Sequence, residues 1–211
     1  MKREKIPAIV VTRLSIYLRS LAILAQHDVE VISSRHLADM CGINPAQIRR
    51  DLSYFGEFGV RGVGYYVNEL LFEIRKILGL DKQWRLALVG VGNLGLALLK
   101  HPEFQNQRYT FVLAFEKDPK KIGTIVEQLT IAPLNAMNRL VKEKQVEIGV
   151  ITATPEWAQK AADSLVRAGV RGILNFAPLQ LKCPGHVFVE DADFTIKSDA
   201  LCYKLTSLEP G

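Results

Sequence analysis

The stretch WRLALVGVGNLGLALLK, residues 84–100, changes from a strand pattern to a helix pattern across three glycines. Residues 84–89 form a short apolar run without polar alternation, which is typical of a parallel strand covered on both faces. Gly90, Gly92 and Gly95 follow in GxGxxG spacing, and good helix formers then continue to residue 100. The stretch therefore predicts a strand, a tight turn and a helix.

Each glycine of this turn has a separate expected task. Gly90 allows the sharp turn, Gly92 lets backbone N–H groups approach a pyrophosphate, and Gly95 lets the helix pack closely on the strand. The helix N-terminus adds unpaired N–H groups and a partial positive charge. GxGxxG spacing alone is weak, and a turn that binds nothing is the alternative, so the surrounding sequence has to decide.

An acidic residue follows where a dinucleotide-binding fold needs one. A second apolar run, residues 109–115, ends in Glu116, which lies 21 residues beyond Gly95. A carboxylate at that place accepts both hydroxyls of the adenine ribose and repels a 2′-phosphate, which predicts NADH and NAD as ligands rather than NADP. Lys117 and two further lysines close by would attract a phosphate and oppose that preference.

Beyond Glu116 the pattern alternates between helices and strands. Asp118–Pro119 predicts a helix start, residues 155–168 a helix, and residues 146–151, 172–175 and 187–189 strands. This alternation predicts an α/β fold of Rossmann type with a doubly wound parallel sheet, which binds ligands beyond the carboxyl ends of its strands. The predicted nucleotide-binding residues are Gly90, Val91, Gly92, Asn93, Leu94, Gly95, Glu116, Lys117, Thr152, Ala153, Thr154, Pro155, Asn175, Phe176, Ala177 and Pro178.

Length and composition predict a soluble protein. The 211 residues are 48% hydrophobic, enough for one or two domains with buried cores. The three cysteines are widely spaced, so neither a disulfide framework nor a metal site is indicated, and a cytoplasmic location is expected. The N-terminus lacks a secretory apolar region, and the longest apolar run, residues 86–99, is too short and too interrupted to span a membrane.

The net charge is +5, of which +3 belongs to residues 1–80 with 11 basic and 8 acidic side chains. The remaining +2 belongs to residues 81–211 with 16 basic and 14 acidic side chains. So small an excess permits nucleic-acid binding without arguing for it, and only the placement of the charges can decide.

The N-terminal part has the pattern of a helix-turn-helix. Residues 7–27 carry apolar side chains at spacings of three and four, which predicts a long amphipathic helix. Ser33 or Ser34 can cap a second helix that ends at Gly42, and Asn44 can cap a third over residues 45–55. Two short helices joined by a glycine turn are typical of DNA-binding domains.

The third helix and the glycine-rich segment after it predict the DNA contacts. Ile48, Leu52 and Phe55 face inward at 100° per residue, so the opposite side is exposed. Residues 56–67 alternate glycines with aromatic and β-branched residues, which indicates a short hairpin, or wing. Donors at these places suit phosphate and base contacts, although a solvated charged face is the plain alternative. The predicted DNA-binding residues are Ala46, Gln47, Arg49, Arg50, Ser53, Tyr54 and Arg61.

These patterns divide the chain into three segments. Residues 1–80 form a winged-helix DNA-binding domain that ends with an amphipathic helix over residues 68–78, and residues 81–190 form the Rossmann domain. Residues 191–211 contain a terminal amphipathic helix, with Phe194 and three leucines on one stripe. This helix can pack on its own domain or against a partner subunit.

Taken together, four stretches resemble the bacterial family of redox-sensing transcriptional repressors called Rex. They are QIRRDLSYFGEFGVRGVGY (47–65), GVGNLGLAL (90–98), FEKDPKKIG (115–123) and GILNFAPLQL (172–181). The first is the most specific, because it joins a recognition helix to a wing. The resemblance implies a homodimer that binds double-stranded DNA at inverted-repeat operators and is released by NADH, so that it senses the NADH/NAD ratio.

The resemblance also implies how the subunits are coupled. In that family the C-terminal helix crosses to the other subunit, where an acidic residue contacts an arginine of the N-terminal helix; the matching positions are Asp193 and Arg19. Phe194 follows as a cofactor-binding position. The family usually has a tyrosine where this chain has His101, which can still hydrogen-bond.

Two other functions compete with a repressor. A small NAD-dependent oxidoreductase would need a substrate domain and a paired general acid and base, and the residues after Leu80 suffice only for the nucleotide fold. A coenzyme-A-binding protein would use a similar glycine turn. Glu116 argues against coenzyme A, because a ribose carboxylate gains little from a phosphorylated adenosine.

Overall fold

A computed structural model describes residues 6–104 and 108–207 of the chain. It divides into two compact units, Met1–Lys82 and Gln83–Gly211. The boundary predicted near Leu80 lies just before this division, and the limits of the three segments remain predictions.

The first unit is mainly helical in its described residues. Its elements are α1 (Ala8–Gln26), β1 (Val31–Ile32), α2 (Ser34–Cys41), α3 (Pro45–Ser53), β2 (Tyr65–Tyr66) and α4 (Val67–Ile77). The Ser33 side chain caps α2 by accepting a hydrogen bond from an N–H of its first turn, and Asn44 caps α3 in the same way. Gly42 ends α2 with a φ of 63°. These caps define the turn between α2 and α3, although α3 ends at Ser53 rather than at the expected Phe55.

The glycine-rich segment after α3 is a tight turn rather than a full hairpin. Val60 and Gly64 form a single antiparallel bridge, with Arg61 in the turn between them. The strand that follows, β2, pairs instead with β1, so that Tyr65 lies opposite Ile32. Gly64 has a φ of 121°, and a Cβ there would collide with the backbone oxygen of Ile32. Only glycine fits where the wing meets β1.

Helix α1 forms the centre of this unit. With 19 residues and a mean hydropathy of 1.7, α1 is long and apolar enough to cross a membrane, and it is the one such helix in the described part of the chain. The core helix of a soluble domain passes the same test. Leu14, Tyr17 and Leu21 are completely buried in the core that α1 shares with α2 and α4, so α1 has the packing of a core helix.

The second unit is built on a seven-stranded sheet. Its strands are β3 (Trp84–Val89), β4 (Tyr109–Glu116), β5 (Ile125–Val126), β6 (Leu129–Pro133), β7 (Ile148–Ile151), β8 (Gly172–Asn175) and β9 (Phe188–Asp191). Its helices are α5 (Asn93–Lys100), α6 (Met137–Glu143), α7 (Pro155–Arg167) and α8 (Phe194–Thr206). The strand order is β5-β6-β4-β3-β7-β8-β9, and all neighbours are parallel except β5 and β6. The predicted Rossmann-type sheet is confirmed.

Strand β3 shows that both faces of the sheet are covered. Leu86 and Leu88 belong to the cluster that includes Leu99 of α5, whereas Ala87 and Val89 belong to the cluster that includes α6 and α7. The chain runs from β3 to β4 on one side and later returns to β7 on the other. A crevice is expected at this change of direction, beyond the carboxyl ends of β3 and β7.

The segment between β4 and β7 differs from the prediction. Asp118–Pro119 does not begin a helix: the Asp118 carbonyl accepts hydrogen bonds from Lys121 and Ile122 at 3.0 and 3.2 Å, and the chain then turns away. Gly123, with a φ of 83°, ends this single turn. The antiparallel hairpin of β5 and β6 and the short helix α6 follow, and the sequence patterns did not predict them.

The C-terminal helix α8 has no buried side chain among its described residues. Five large apolar side chains on it are 57–75% exposed: Phe194, Ile196, Leu201, Tyr203 and Leu205. At 100° per residue, Phe194, Leu201 and Leu205 share one side and the other two lie on the opposite side. The helix is confirmed, but its apolar residues form two stripes. Leu208, the end of the predicted stripe, lies outside the described residues.

Candidate nucleotide cleft and nucleic-acid interface

A cleft of about 180 Å³ opens at the carboxyl ends of β3, β4 and β7. It is lined by Val89, Gly90, Gly92, Glu116, Lys117, Leu134, Thr152, Ala153, Thr154, Trp157 and Ala161. Seven of these belong to the nucleotide-binding residues that the sequence predicts. The glycine turn, the acidic residue and the loop after β7 therefore meet in one place.

The three glycines of the turn have different surroundings. A Cβ on Gly90, whose φ is 102°, would lie 2.8 Å from the backbone nitrogen of Ala153. A Cβ on Gly95 would collide with the carbonyl oxygen of Gly90, so this position needs glycine for close packing. Gly92 is the opposite case, because nothing lies within 4 Å of its missing Cβ. The open space at this position belongs to the cleft that Gly92 lines.

The start of α5 suits an anion. Gly92 is the N-cap of α5, and no side chain caps the helix there. The N–H groups of a first helical turn lack partners within the helix and favour negative charge. The open space at Gly92 and these N–H donors suit a pyrophosphate group, so the residues present fit a dinucleotide ligand.

Glu116 lies at the end of β4 and is buried. Its carboxylate accepts hydrogen bonds from the backbone N–H groups of Val91 at 2.8 Å, Lys117 at 2.6 Å and Asp118 at 3.1 Å. Two carboxylate oxygens offer about four acceptor positions, so capacity remains for a ribose hydroxyl. Glu116 thus holds the glycine turn against β4 as well as lining the cleft.

Thr152 connects the loop after β7 to the same turn. Its hydroxyl donates to the carbonyl oxygen of Gly90 at 2.6 Å. Four residues that line the cleft were not among the predicted nucleotide-binding residues: Val89, Leu134, Trp157 and Ala161. Trp157 follows the predicted helix start at Pro155, and an exposed tryptophan beside a ligand loop is the signal that could have identified it.

The loop after β8 has a structural function in this chain. Asn175 is buried, and its amide nitrogen donates to the carbonyl oxygens of Ala177 and Leu179 and to the Asp191 carboxylate. Its amide oxygen accepts from the Ala177 N–H at 3.0 Å. The Asn175 side chain therefore fixes the loop. In the described part of the chain, the predicted nucleotide-binding residues that do not line the cleft are Val91, Asn93, Leu94, Gly95, Pro155, Asn175, Phe176, Ala177, Pro178 and Phe194.

A groove of about 550 Å³ lies on the first unit, between the start of α2, the end of α3 and the wing. Of the predicted DNA-binding residues it brings together Arg49, Ser53 and Arg61. The Arg49 guanidinium donates to the Ser34 hydroxyl at 2.9 Å, and both residues line the groove. Most of the residues that line the groove belong to the glycine-rich wing, so the backbone of the wing is accessible there.

The remaining predicted contacts lie on the exposed side of α3. Ala46 and Arg50 are exposed, and Tyr54 at the end of the helix is also exposed. Gln47 is different: its amide nitrogen donates to the Asp51 carboxylate at 2.7 Å. The sequence predicts that Gln47 faces DNA, whereas in the structure its amide group is hydrogen-bonded to a buried carboxylate of the same domain.

Asp51 is the buried anchor of α3. Its carboxylate, with no exposed surface, accepts two hydrogen bonds from Arg13 at 2.6 and 2.8 Å and one from the Tyr17 hydroxyl at 2.7 Å. Arg13 and Tyr17 belong to α1, so this network connects α1 to α3. Sequence reasoning missed it, because a charged residue on a helix is exposed by default.

The network shifts the pKa values of its members in opposite directions. Burial alone would raise the pKa of Asp51, but the hydrogen bonds from Arg13, Tyr17 and Gln47 outweigh burial and hold this pKa below its usual value. Burial, together with the hydrogen bond to Asp51, raises the pKa of Tyr17. Asp51 is therefore a carboxylate at neutral pH, and Tyr17 keeps its proton.

Comparison with known proteins gives consistent matches over both units. Residues 5–53 match a family model described as the N-terminus of putative DNA-binding proteins, and residues 81–179 match a CoA-binding domain. The redox-sensing transcriptional repressor Rex of Syntrophobacter fumaroxidans is 52% identical over 207 residues, which cover 98% of this chain and 99% of that protein. The Rex of Maridesulfovibrio salexigens is 48% identical and covers 99% of this chain and 100% of its own length.

The chain belongs to the Rex family of redox-sensing transcriptional repressors. The Rex-family repressor RSP, in a crystal structure with β-NAD+ and operator DNA, matches with a TM-score of 0.92 and 34% identity over 97% of this chain and 94% of its own. Its complex with β-NADH matches with a TM-score of 0.87 and 32% identity, covering 97% and 96%. As a Rex protein the chain is a soluble transcription regulator and not an enzyme, so the oxidoreductase alternative is wrong.

The residues expected to couple the Rex subunits lie in different units. Arg19 is exposed on α1. Asp193 caps α8, and its carboxylate accepts hydrogen bonds from the Thr195 hydroxyl at 2.6 Å and the Thr195 N–H at 2.8 Å, which lower its pKa. His101 ends α5 and makes an edge contact with the ring of Phe104, at 6.2 Å between centroids.

Proposed function

We propose that this Rex chain binds inverted-repeat operator DNA as a homodimer in the cytoplasm and is released when NADH occupies its cleft. The observation that carries this proposal is the likeness, over nearly the whole chain, to a repressor crystallised with β-NAD+ and operator DNA. The cleft at the glycine turn is the proposed site for the nucleotide, and the groove at α3 is part of the proposed surface for DNA.

Helix α3 and the wing are proposed to make different contacts with DNA. Arg50 and Tyr54, exposed on α3, are proposed to reach base edges in the major groove, as the exposed side of a recognition helix does. Arg49, held by Ser34, and Arg61, in the wing turn, are proposed to contact the backbone or the minor groove. Ala46 and Ser53 complete the surface.

Different residues of the cleft are likewise proposed to bind different parts of the dinucleotide. Gly92 and the first turn of α5 are proposed to bind the pyrophosphate, and Glu116 a hydroxyl of the adenine ribose, through the acceptor position that its three backbone hydrogen bonds leave open. Lys117 and the loop Thr152–Pro155 border the same space. The carboxylate of Glu116 repels a 2′-phosphate and therefore favours NADH and NAD over their phosphorylated counterparts.

A homodimer would explain the exposure of α8. Five large apolar side chains on one short helix are unusual at a free surface, and a partner subunit would cover them. The proposed exchange places Phe194 at the partner's nucleotide and Asp193 opposite Arg19, with His101 in the segment that contacts the tail. Two recognition helices held in this way have to be about one helical turn of DNA apart, or a multiple of it.

The decisive experiment measures linkage between the two ligands. NADH affinity is titrated by nicotinamide fluorescence with and without a saturating operator duplex, and operator affinity with and without NADH. Couplings between sites are typically about 1 to 3 kcal/mol, so each ligand is expected to weaken the other by the same factor of roughly 5 to 150. Equal NADH affinities in both titrations would refute the sensing mechanism even if both ligands bind.

Asp193→Asn tests the proposed coupling element. Asparagine caps helices as well as aspartate does, so α8 keeps its N-terminus while the charge opposite Arg19 is lost. Both binding activities are expected to remain while their mutual weakening disappears. Asp199→Asn, on the same helix, is the matched control and should leave the coupling unchanged.

A further inference from the structure

The nucleotide cleft has an aromatic wall that the glycine turn does not require. Trp157 is the third residue of α7 and lines the cleft with a side chain that is 37% exposed. Ala161, one turn later on the same face, and Leu134 line the cleft as well. Among the cleft residues in the described part of the chain, Trp157 is the one aromatic side chain.

Lys117 places this wall next to the residue that would bind the ribose. Its backbone N–H donates to the Glu116 carboxylate at 2.6 Å, while its ammonium lies 4.3 Å from the centroid of the Trp157 ring. The two ends of Lys117 thus contact the Glu116 carboxylate and the Trp157 ring, and all three residues line the same cleft. In a dinucleotide the adenine is attached directly to the ribose, so the base has to lie in this neighbourhood.

The Trp157 ring already attracts positively charged groups. Besides Lys117, the ammonium of Lys160 lies over the ring at 4.6 Å from its centroid. Such contacts at exposed sites are weak, so a flexible lysine can leave the ring for a competing partner. A flat aromatic base is such a partner, because it gains stacking and apolar contact together.

We propose that Trp157 is the wall against which the adenine base of the dinucleotide packs, and that it determines the affinity of this chain for the adenine half of its ligand. This inference rests on the proposed function, because it assumes that Gly92 and Glu116 hold the pyrophosphate and ribose. Binding then displaces a lysine from the ring, and the base takes its place beside Leu134 and Ala161.

The test uses ADP-ribose, which contains the adenine half and lacks the nicotinamide that absorbs tryptophan emission. The chain has two tryptophans, so Trp84→Phe leaves emission from Trp157 alone. ADP-ribose should quench this emission saturably. Trp157→Ala should weaken ADP-ribose and NADH by a similar factor of roughly ten, within the range of base–aromatic stacking, and Trp157→Phe should restore most of the affinity.

The controls separate failure of this inference from failure of the proposed function. Phe188→Ala removes another exposed aromatic side chain from the same unit, on β9, and should leave NADH affinity unchanged. NADH binding by Trp157→Ala equal to that of the parent, or emission of Trp157 unaffected by saturating ADP-ribose, would overturn the inference while the proposed function stands. A parent chain that binds neither ligand would overturn the proposed function itself.

Discussion

Replacing Asp51 by asparagine should destabilise the first unit selectively. The substitution keeps the size of the side chain but removes the charge that accepts hydrogen bonds from Arg13, Tyr17 and Gln47. Breaking a buried ion pair from one side costs about 3 to 5 kcal/mol. The Arg13 side chain is 19% exposed and keeps some access to water, which places the expected loss near the lower end, about 3 kcal/mol.

The two tryptophans make this loss measurable in the full chain. Trp84 and Trp157 both lie in the second unit, so tryptophan fluorescence reports its urea unfolding, whereas far-ultraviolet circular dichroism also reports the helices of the first unit. In Asp51→Asn the dichroism transition should begin at lower urea while the fluorescence transition stays in place. Operator affinity should fall as well, because α3 loses its connection to α1.

A surface ion pair provides the matched control. The Arg139 guanidinium lies 3.1 Å from the Glu143 carboxylate, and the two side chains are 72% and 53% exposed. Such exposed pairs contribute less than about 1 kcal/mol to the free energy of unfolding. Glu143→Gln should therefore leave both transitions nearly unchanged. A dichroism transition of Asp51→Asn that coincides with that of the parent would refute the view that Asp51 anchors α3.

Three further outcomes are expected. The pKa of Asp51 is depressed in the folded state, so its carboxylate stabilises the fold above the unfolded-state pKa of about 3.9, and this stabilisation should be lost as the pH falls through the folded-state pKa. Acid unfolding of the parent, but not of Asp51→Asn, should show the loss. Gly92→Val should abolish NADH fluorescence enhancement while thermal unfolding remains cooperative, since only ligand space is filled; parent-like NADH affinity would disprove the pyrophosphate site. Arg50→Ala should cost about 1 to 3 kcal/mol on operator DNA and relax base preference, whereas Arg61→Ala should weaken binding with less effect on sequence ranking; parent-like DNA binding by both would contradict the proposed interface.

The sequence predicts the elements whose local pattern and packing agree. Strands β3 and β8 have the predicted limits, because an apolar run buried on both faces leaves little choice of conformation. The hairpin of β5 and β6 escaped prediction, because its turn uses Glu127 and Gln128 at positive φ, where glycine or asparagine is the usual signal. The expected helix at Asp118–Pro119 failed because Gly123 ends it after one turn.

The site was predicted less completely than the fold, for a related reason. The glycines and Glu116 follow a spacing rule that depends on neighbouring elements, so they could be found in the sequence. Trp157 reaches the cleft only because β7 and α7 place it there, and no spacing rule contains it. The sequence placed Gln47 on the DNA-facing side and did not identify Asp51 as an anchor, because Arg13 and Tyr17, which bury the Asp51 carboxylate, come from another helix.

The anchoring of α3 through its inner side has a consequence for how operator preference can change. Ile48, Asp51 and Leu52 are buried and hold the helix, whereas Arg50 and Tyr54 are exposed and make no part of that anchor. Substitutions at these two positions, which are proposed to contact base edges, should therefore change operator preference without loss of folding. A library randomised at Arg50 and Tyr54, with the buried positions kept, is a practical starting point for redirecting this repressor to a new promoter.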